Sequence, residues 1–560
     1  MNGHPVLGWR GEREGDVAVD VATGMARVKR ALLLWVDSQG GFADHLVARW
    51  LFLRALGLIY FSAFLALVDQ VRGLIGAQGI LPAGEFLRSL HQLGWLRFWY
   101  APTLLWFSGG DGWLMALCWA GLAASLLVVA NLWPRAMLLV CFLSFLSFVG
   151  AAEDFSGYQS DGMLLEAGFL ALFLAPAGVL PGWGARQPGS RAAMFLLLWE
   201  WFRIYFESGV VKLASGDPTW RNLTAMYEYY QNGPLPTWIG WYLQHLPHWF
   251  HIATAGLTLA MELVLVWMAF LGRRGRIVCF FVVTAWQIGV IATANYAFLN
   301  YLVLVLAVLL LDDAFLARMI PMRWRRGVAR LGMDEATLRE AADGKAEARE
   351  VHGLEALGVG ARAVVLAWIF YATTLPLLQM FWREVPLPER PVALLEPLRI
   401  ANQYGLFAVM TPHRYEIEFQ GSNDGENWVA YRFGYKPQAV NERPRIYAPY
   451  QPRFDWNLWF ASLGAWREYP WVARTEELLL ENDPAVLGLF GGNPFTGAPP
   501  RMVRAVLWQY WFSTSEEKRT QGVWWTRQLV GAYAPTLVRL PEGGFGVMGT
   551  DMPASEEPQR

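Results

Sequence analysis

Four ionisable residues lie close together in one of the more apolar parts of the sequence. The stretch "EWFRIYFESGVVKLASGDPTW" contains Glu200, Arg203, Glu207 and Lys212, and the apolar run "AAMFLLLW" leads into it. On a helix, Glu200, Arg203 and Glu207 share one face, because successive residues are about 100° apart. A charge inside a bilayer costs several kcal/mol, so charged residues of membrane helices normally face the bundle interior and pair with one another.

Two interpretations of this stretch stay open. In the first, Arg203 bridges Glu200 and Glu207, and the neutralised network only fixes how helices pack. In the second, the residues line a polar chamber that opens outward, with Lys212 as a reactive or binding amine. Lys212 lies roughly 140° away from the shared face and near the outward end of the helix, so its side chain is free to point elsewhere.

Other polar residues in apolar runs could line the same interior: Glu166, Glu262, Gln287, Asn295 and Asn300. Glu262 has apolar neighbours on every side, so it needs a partner, which the sequence does not identify. The loop after Lys212 contributes further candidates: Asp217, Trp220, Arg221, His245 and His251. His245, His248 and His251 have a regular spacing, but Pro247 interrupts the helix that would align them, so we expect no metal site.

The composition is typical of a multi-pass membrane protein. Apolar residues make up 55% of the chain and charged residues 17%, whereas a soluble chain carries about 25% charge. Apolar runs long enough to cross a hydrocarbon core of about 30 Å recur through the first two thirds. The net charge of −1 gives no indication of nucleic-acid binding. Cys118, Cys141 and Cys279 lie in apolar runs, so we expect buried thiols rather than disulfides.

The hydrophobic pattern predicts a membrane domain over 49–382, an α-helical bundle of about nine helices. The predicted segments are 50–68, 112–133, 135–152, 162–176, one from about 192, 250–271, 276–294, 297–311 and 361–381. Lysine and arginine concentrate in alternate loops. The positive-inside rule therefore places the N-terminal segment 1–48 in the cytoplasm and the chain after Trp382 outside.

The outward part, 383–535, has the pattern of a separate domain. "RYEIEFQGSNDGENWVAYRFGY" alternates apolar and polar residues on both sides of a turn sequence, which predicts a hairpin. "RTEELLLENDPAVLGLF" favours a helix and "RMVRAVLWQYWFS" a strand. We expect a β-rich, sandwich-like extramembrane domain, followed by a disordered tail over 536–560.

Eight blocks in fixed order give the chain a family resemblance. They are "GLIGAQGILPA", "YQSDGMLLEAGFLALFLAP", the long block from "FRIYFESGVVKLASGDPTW" to "HLPHWFH", "ANYAFLNYLVLVLAVLLLDD", "RIANQYGLFAVMT", "YEIEFQGSNDGENW", "RFDWNLWFA" and "GNPF". With these blocks the chain resembles the lipase maturation factor family. The resemblance implies an integral membrane protein whose outward face, including the 216–249 loop, assists secreted client proteins such as lipases.

That resemblance also bears on location and cofactors. The animal members of the family are proteins of the endoplasmic reticulum membrane, whereas the lack of outward-facing cysteines here favours a bacterial inner membrane. A maturation factor implies a secreted client, a lipase by family resemblance, and the bilayer as partners. It requires no cofactor and no catalytic residue.

A shorter resemblance supports the alternative function. "SGVVKLASGDPTW", followed by "GLTLAMELVLVWMAFL", is similar to part of the membrane domain of vitamin K-dependent gamma-carboxylases. In that comparison Lys212 occupies the position of the lysine that acts as a base toward the quinol cofactor. The alternative is therefore a membrane-embedded enzyme with Lys212 as base. A third reading, a transporter of lipid-like substrates, lacks the paired broken helices that it would need.

Overall fold

The computed structural model describes residues 35–36, 43–184, 187, 189–319 and 353–549. Most of the predicted cytoplasmic segment 1–48 lies outside these residues. So does most of the basic run after the eighth predicted segment, "RMIPMRWRRGVAR".

The first part of the described chain is a helical region. Its main helices are α1 (Leu46–Ile75), α2 (Asp111–Val129), α3 (Pro134–Val149), α4 (Gln159–Leu174), α5 (Arg191–Ala214), α6 (His248–Leu263), α7 (Arg273–Thr293), α8 (Leu299–Ala307) and α9 (Leu354–Gln379). The 3₁₀ segments Leu265–Phe270 and Val308–Leu310 extend α6 and α8. Each of the nine predicted segments falls on one of these helices.

Length and composition qualify five of the described helices as membrane spans: α1, α2, α6 with its 3₁₀ extension, α7 and α9. The apolar helices α3 and α8 are shorter, α4 has only 16 residues, and α5 carries the charged residues of the opening stretch. The helical, membrane-spanning character of this region is therefore confirmed, whereas the number of crossings is not established by helix length alone.

α1 is the most enclosed of the five spans. It is 30 residues long, and 67% of its most apolar window is buried. Glycines bring α2 close to it: a methyl group at Gly57 would touch Val129, and one at Gly121 would collide with the ring of Phe64. Small residues at such positions let two membrane helices approach until their backbones are nearly in contact.

Short helical segments connect the long helices. They are Ala43–His45 before α1; Ala83–Ser89, Leu90–Leu96, Arg97–Tyr100 and Leu104–Trp106 between α1 and α2; Glu153–Ser156 before α4; Pro218–Arg221, Tyr229–Asn232 and Trp238–Gln244 between α5 and α6; Asp313–Met319 after α8; and Arg390–Ala393 and Glu396–Leu398 after α9.

The C-terminal domain is built on antiparallel strands. The strands are β1 (Arg414–Ser422), β2 (Val429–Ala430), β3 (Arg432–Phe433), β4 (Phe490–Gly492), β5 (Met502–Phe512), β6 (Trp525–Ala532), β7 (Thr536–Arg539) and β8 (Phe545–Met548). The main sheet has the order β2-β1-β5-β7-β8, with β6 also paired to β5, and β3 pairs with β4. The predicted hairpin is confirmed, because β1 is followed by a turn and pairs with β2. The strand predicted from "RMVRAVLWQYWFS" is also confirmed and is β5.

Two expectations for this domain are wrong. The main sheet is not half of a two-sheet sandwich, because the helices α10 (Arg453–Ala461) and α11 (Trp471–Glu481), with Pro484–Leu487 and Ser515–Gln521, share the domain and α10 and α11 pack on β1 and β5. The start of the predicted tail, 536–548, is also structured, because β7 and β8 pair with each other and β7 pairs with β5. Residues 550–560 of that tail lie outside the described residues.

Buried polar contacts hold the C-terminal domain against the helical region. Arg453 on α10 makes two hydrogen bonds to Asp161 at the start of α4, at 2.7 and 2.9 Å, and both side chains are buried. Arg414 on β1 donates to the backbone carbonyls of Gln231, Gly233 and Pro234 in the α5–α6 loop. The two regions therefore share buried charges.

Candidate functional site

The first buried ion pair joins α4 to α5. Glu166 accepts a hydrogen bond from the Arg203 guanidinium, and both side chains are almost fully buried. Arg203 Nη1 donates to the backbone carbonyl of Asn402, in the segment that leads from α9 to β1. The expectation that Arg203 bridges Glu200 and Glu207 is therefore wrong: its partners come from a neighbouring helix and from this segment.

Tyr404 contacts the carboxylates around this pair. Its hydroxyl lies 2.9 Å from Glu166 Oε2 and 3.5 Å from Glu200 Oε1, and its backbone N–H donates to Glu207 Oε2 at 2.6 Å. Asn402 adds two hydrogen bonds to Glu166, from its backbone N–H and its side-chain amide. Four of the residues predicted for the polar network thus lie together, with the segment around Tyr404 at their centre.

The second buried ion pair joins α5 to α6. Lys212 Nζ lies 2.8 Å from Glu262 Oε1, which identifies the partner that Glu262 needs. The ammonium also donates to the carbonyl of Leu406 at 3.0 Å and approaches that of Ser208 at 3.5 Å. The Trp220 ring lies beside it, with the ring centroid 5.2 Å from Nζ, which adds a cation–π contact. Lys212 is therefore a buried, fully bonded ammonium.

The loop candidates Asp217, Trp220 and Arg221 hold the C-terminal end of α5. Asp217 caps the short helix Pro218–Arg221 by accepting from the Thr219 N–H, and it also accepts from the Met410 N–H at 2.7 Å. Burial acts to raise the Asp217 pKa, but these hydrogen bonds outweigh it and lower the pKa. Trp220 Nε1 donates to the carbonyl of Phe407, and Arg221 donates to a carbonyl near the end of α5.

The histidine candidates lie against backbone carbonyls. The ring nitrogens of His245 lie 2.7 Å from the Trp241 carbonyl and 3.0 Å from the Ser513 carbonyl. His251 Nε2 lies 3.1 Å from the carbonyl of Leu246. Within the residues that the structure describes, no group of three or more potential ligands is arranged to hold a metal ion.

Sequence reasoning missed the segment 402–411 as part of the site. "RIANQYGLFAVMT" supported the family resemblance, yet the sequence placed it in the outward domain. The structure brings it against both ion pairs, through Asn402, Tyr404 and Leu406. The polar residues "NQY" between apolar neighbours were the one indication in the sequence of this segment. The sequence does not show which distant carboxylates they contact.

A cavity of about 990 Å³ borders the second ion pair. Helices α5, α6, α7 and α8 line one side of it, and the segment 405–411 with α10 lines the other. A second chain of polar side chains crosses its inner wall: the Tyr205 hydroxyl donates to Gln287, and the Gln287 amide donates to Asn300. The site is therefore a polar cluster beside a largely apolar chamber.

Fold and site together define a polytopic membrane protein whose strand-containing domain is held against its helices by a buried ion pair and buried hydrogen bonds. Two family models match the chain, the lipase maturation factor transmembrane domain over residues 47–318 and the lipase maturation factor C-terminal domain over residues 400–535. The chain belongs to the lipase maturation factor family.

Full-length relatives agree with this assignment. Lipase maturation factor 1 of Bos taurus is 32% identical over 519 residues, which cover 89% of this chain and 90% of that protein. Lipase maturation factor 2 of Homo sapiens is 30% identical over 592 residues, which cover 88% and 83%. No solved structure matches the chain. The family prediction is confirmed, and the gamma-carboxylase alternative receives no support from these matches.

Proposed function

We propose that this protein assists the folding or assembly of a secreted client, a lipase by family, on the outward side of the membrane. The observation that carries the proposal is similarity to lipase maturation factors over about nine tenths of both chains, including the helical region and the C-terminal domain. A factor that shared only the membrane anchor with these relatives would not match in both parts.

A nine-crossing topology, with the domain after residue 382 outside, accounts for the contacts between the two regions. The C-terminal domain bonds to Gln70 near the end of α1, to Asp161 at the start of α4, and to Asn295 just after α7. These positions lie on one side of the membrane if the intervening helices all cross it. The same topology brings the 216–249 loop and residues 383–549 to one face, where a client would be handled.

We place the protein in a bacterial inner membrane. All three cysteines are free, buried and located in the helices α2, α3 and α7. The outward domain therefore folds without disulfides. A protein that needs no disulfides does not depend on an oxidising compartment.

The geometry of Lys212 favours an assembly factor over an enzyme. A general base must present a lone pair, whereas the Lys212 ammonium donates to Glu262 and to the carbonyl of Leu406. We propose that both ion pairs hold helices and the 402–411 segment in place.

The decisive experiment deletes the gene and measures the activity and the amount of secreted lipase, together with the rest of the secretome. We expect lower lipase activity per molecule, restored by the wild-type gene. Unchanged lipase activity together with an unchanged secretome would reject the proposal.

Lys212→Arg separates the two readings in the same strain. Arginine keeps a cation beside Glu262 but remains protonated at any pH that a cell reaches, so it cannot act as a base. We expect this variant to restore secretion if it accumulates to the wild-type level. A normally accumulating Lys212→Arg protein with no activity would favour the enzyme.

A further inference from the structure

The cavity beside the second ion pair has an aromatic and aliphatic wall. Trp220, Tyr229, Tyr296, Phe407 and Trp456 all line it. Its volume, about 990 Å³, lies at the upper end of the range of about 300–1,000 Å³ for small-molecule sites. A chamber of this size and composition suits a ligand with long hydrocarbon parts.

The cavity also reaches the outer surface of the helical region. α6 packs on α5, and α7 packs on α8; α7 meets α6 chiefly at the 3₁₀ extension Leu265–Phe270, so the two helices have few contacts beyond that extension. Leu257 on α6 and Val282 on α7 line the cavity, yet they are 47% and 38% exposed. α7 is the least enclosed of the five spans, with 17% of its most apolar window buried. Since lipid tails cover such a surface, a ligand can enter from the bilayer.

The polar end of the cavity lacks one hydrogen-bond donor. Glu262 lines the cavity and is 9% exposed; its Oε1 accepts from Lys212, whereas its Oε2 is buried without a hydrogen-bond partner among the described residues. A buried acceptor without a partner is unfavourable. The pair is neutral overall. The carboxylate would repel an anionic lipid head group, and the ammonium would repel a cationic one. An uncharged hydroxyl avoids both and supplies the missing donor.

We propose that this cavity binds an uncharged, hydroxyl-bearing lipid of the diacylglycerol class. Its acyl chains occupy the aromatic wall and the opening between α6 and α7, and its hydroxyl donates to Glu262 Oε2 once the buried carboxylate turns toward the cavity. This binding goes beyond the maturation of a client, because it requires only the cavity, its lateral opening and the unpaired carboxylate oxygen.

Photolabelling of the purified full-length protein tests the proposal. The probe is a diacylglycerol with a diazirine in one acyl chain, and the labelled peptides are identified by mass spectrometry. We expect labels within 254–261 and 282–290, lining the cavity on α6 and α7. Unlabelled dioleoylglycerol should lower the yield about tenfold at a concentration where dioleoylphosphatidylglycerol and oleate lower it by less than about twofold.

A matched pair of glycine substitutions tests the location. Gly289 lines the cavity and Gly360 lies on the exposed surface of α9; no atom lies within 4 Å of a methyl group added to either. We expect Gly289→Trp to fill the chamber and reduce labelling about tenfold, and Gly360→Trp to leave it unchanged.

Three results would overturn the proposal. The first is labelling spread over α9 as strongly as over α6 and α7, which would indicate only the surrounding lipid. The second is equal competition by phosphatidylglycerol, which would contradict the uncharged head. The third is normal labelling in a folded Gly289→Trp protein; if that variant does not fold, the competition series on the wild type still decides.

Discussion

At the scale of single residues, Lys212 and Glu262 show why a charge in an apolar helix need not be catalytic. Each would be unfavourable alone in a bilayer, and each is satisfied by the other at 2.8 Å. Removing one member of a buried pair leaves an uncompensated charge, whereas replacing both with apolar groups of similar volume is often tolerated. Loss of one member of the pair should therefore destabilise the protein, whereas loss of both should not. A lysine that served only as a base would not show this pattern.

We expect Lys212→Met to destabilise the protein by about 3–5 kcal/mol, because Glu262 loses its counterion. The double variant Lys212→Met/Glu262→Leu should recover most of that loss. The measurement is the thermal unfolding midpoint in detergent, with membrane accumulation as a second readout. A single variant as stable as the wild type would show that the pair does not support the fold.

Asp455 on α10 should make stability depend on pH. Burial raises its pKa to about 6, although hydrogen bonds from the Tyr435 and Lys436 N–H groups and the Lys436 charge oppose the shift. Because the folded pKa lies above the unfolded value, the associated stability is present below about pH 4 and is lost as the pH rises through about 6. As the pH rises from about 4 to above 6, the free energy of unfolding of Asp455→Asn should increase by up to about 3 kcal/mol relative to that of the wild type.

Asp424→Asn is the control with the opposite sign. Hydrogen bonds from the Asn427 side chain and backbone, and from the Glu426 N–H, lower the Asp424 pKa, so its contribution is lost as the pH falls. Unfolding midpoints of both variants and the wild type are compared across pH 2 to 7, because the Asp424 contribution is lost only below about pH 4. Parallel pH curves for Asp455→Asn and the wild type would show that Asp455 is not the responsible group.

The sequence predicted the members of the polar network better than their partners. Glu166, Arg203 and Glu262 were recognised because charges in apolar runs are rare. Tyr404 was missed because a tyrosine in a loop is ordinary until its distance to Glu166 is known. Helical periodicity shows which residues share a face, but it carries no information about the helix or loop that this face meets.

At the scale of elements, the strands β7 and β8 extend the sheet beyond the predicted end of the domain. Glycines in "PEGGFGVMGTD" suggested a disordered tail. Yet β7 pairs with the start of β5, through Met502 with Val538 and Val503 with Leu537, and β8 pairs along all of β7. The glycines form the turn between the two strands, where Gly543 and Gly544 have positive φ.

A pair of truncations tests this edge of the sheet. A chain that ends at Gly549 keeps both strands and should unfold at the wild-type temperature. A chain that ends at Tyr533 loses them, exposes the edge of β5 at Met502 and Val503, and should have a lower unfolding midpoint and more aggregation. Equal midpoints for the two truncations would mean that β7 and β8 do not stabilise the domain.

Element types were easier to predict than their packing partners. All nine apolar segments fall on helices, and the alternation in β1 and the apolar run in β5 were read correctly as strands. The sandwich was predicted wrongly. Alternation shows that a strand has two different faces, but it does not show which element covers each face. Here α10 and α11 cover the sheet, and the amphipathic pattern of α11 fits a sheet surface as well as a helix bundle.

At the scale of the whole molecule, the contacts between the helical region and the C-terminal domain are buried and combine charged with apolar side chains, as where Phe155 packs on Trp471. Asn402 and Tyr404 reach into the bundle, and Arg453 and Asp161 form a pair that is 3% and 0% exposed. Domains of one chain are expected to move relative to each other unless their interface is large and hydrophobic. The two regions should therefore fold and unfold as one unit.

Substitution of the Asp161–Arg453 pair tests whether the two regions unfold together. Asp161→Asn leaves the Arg453 guanidinium buried without its counterion, and we expect a loss of about 3–5 kcal/mol. The control is Glu477→Gln, which breaks the half-exposed Arg474–Glu477 pair and should cost less than about 1 kcal/mol. Unfolding is followed by proteolysis, with fragments assigned to residues before and after 382. We expect both sets of fragments to appear at the same, lower temperature in Asp161→Asn; fragments from the C-terminal domain alone would show that the helical region is stable without it.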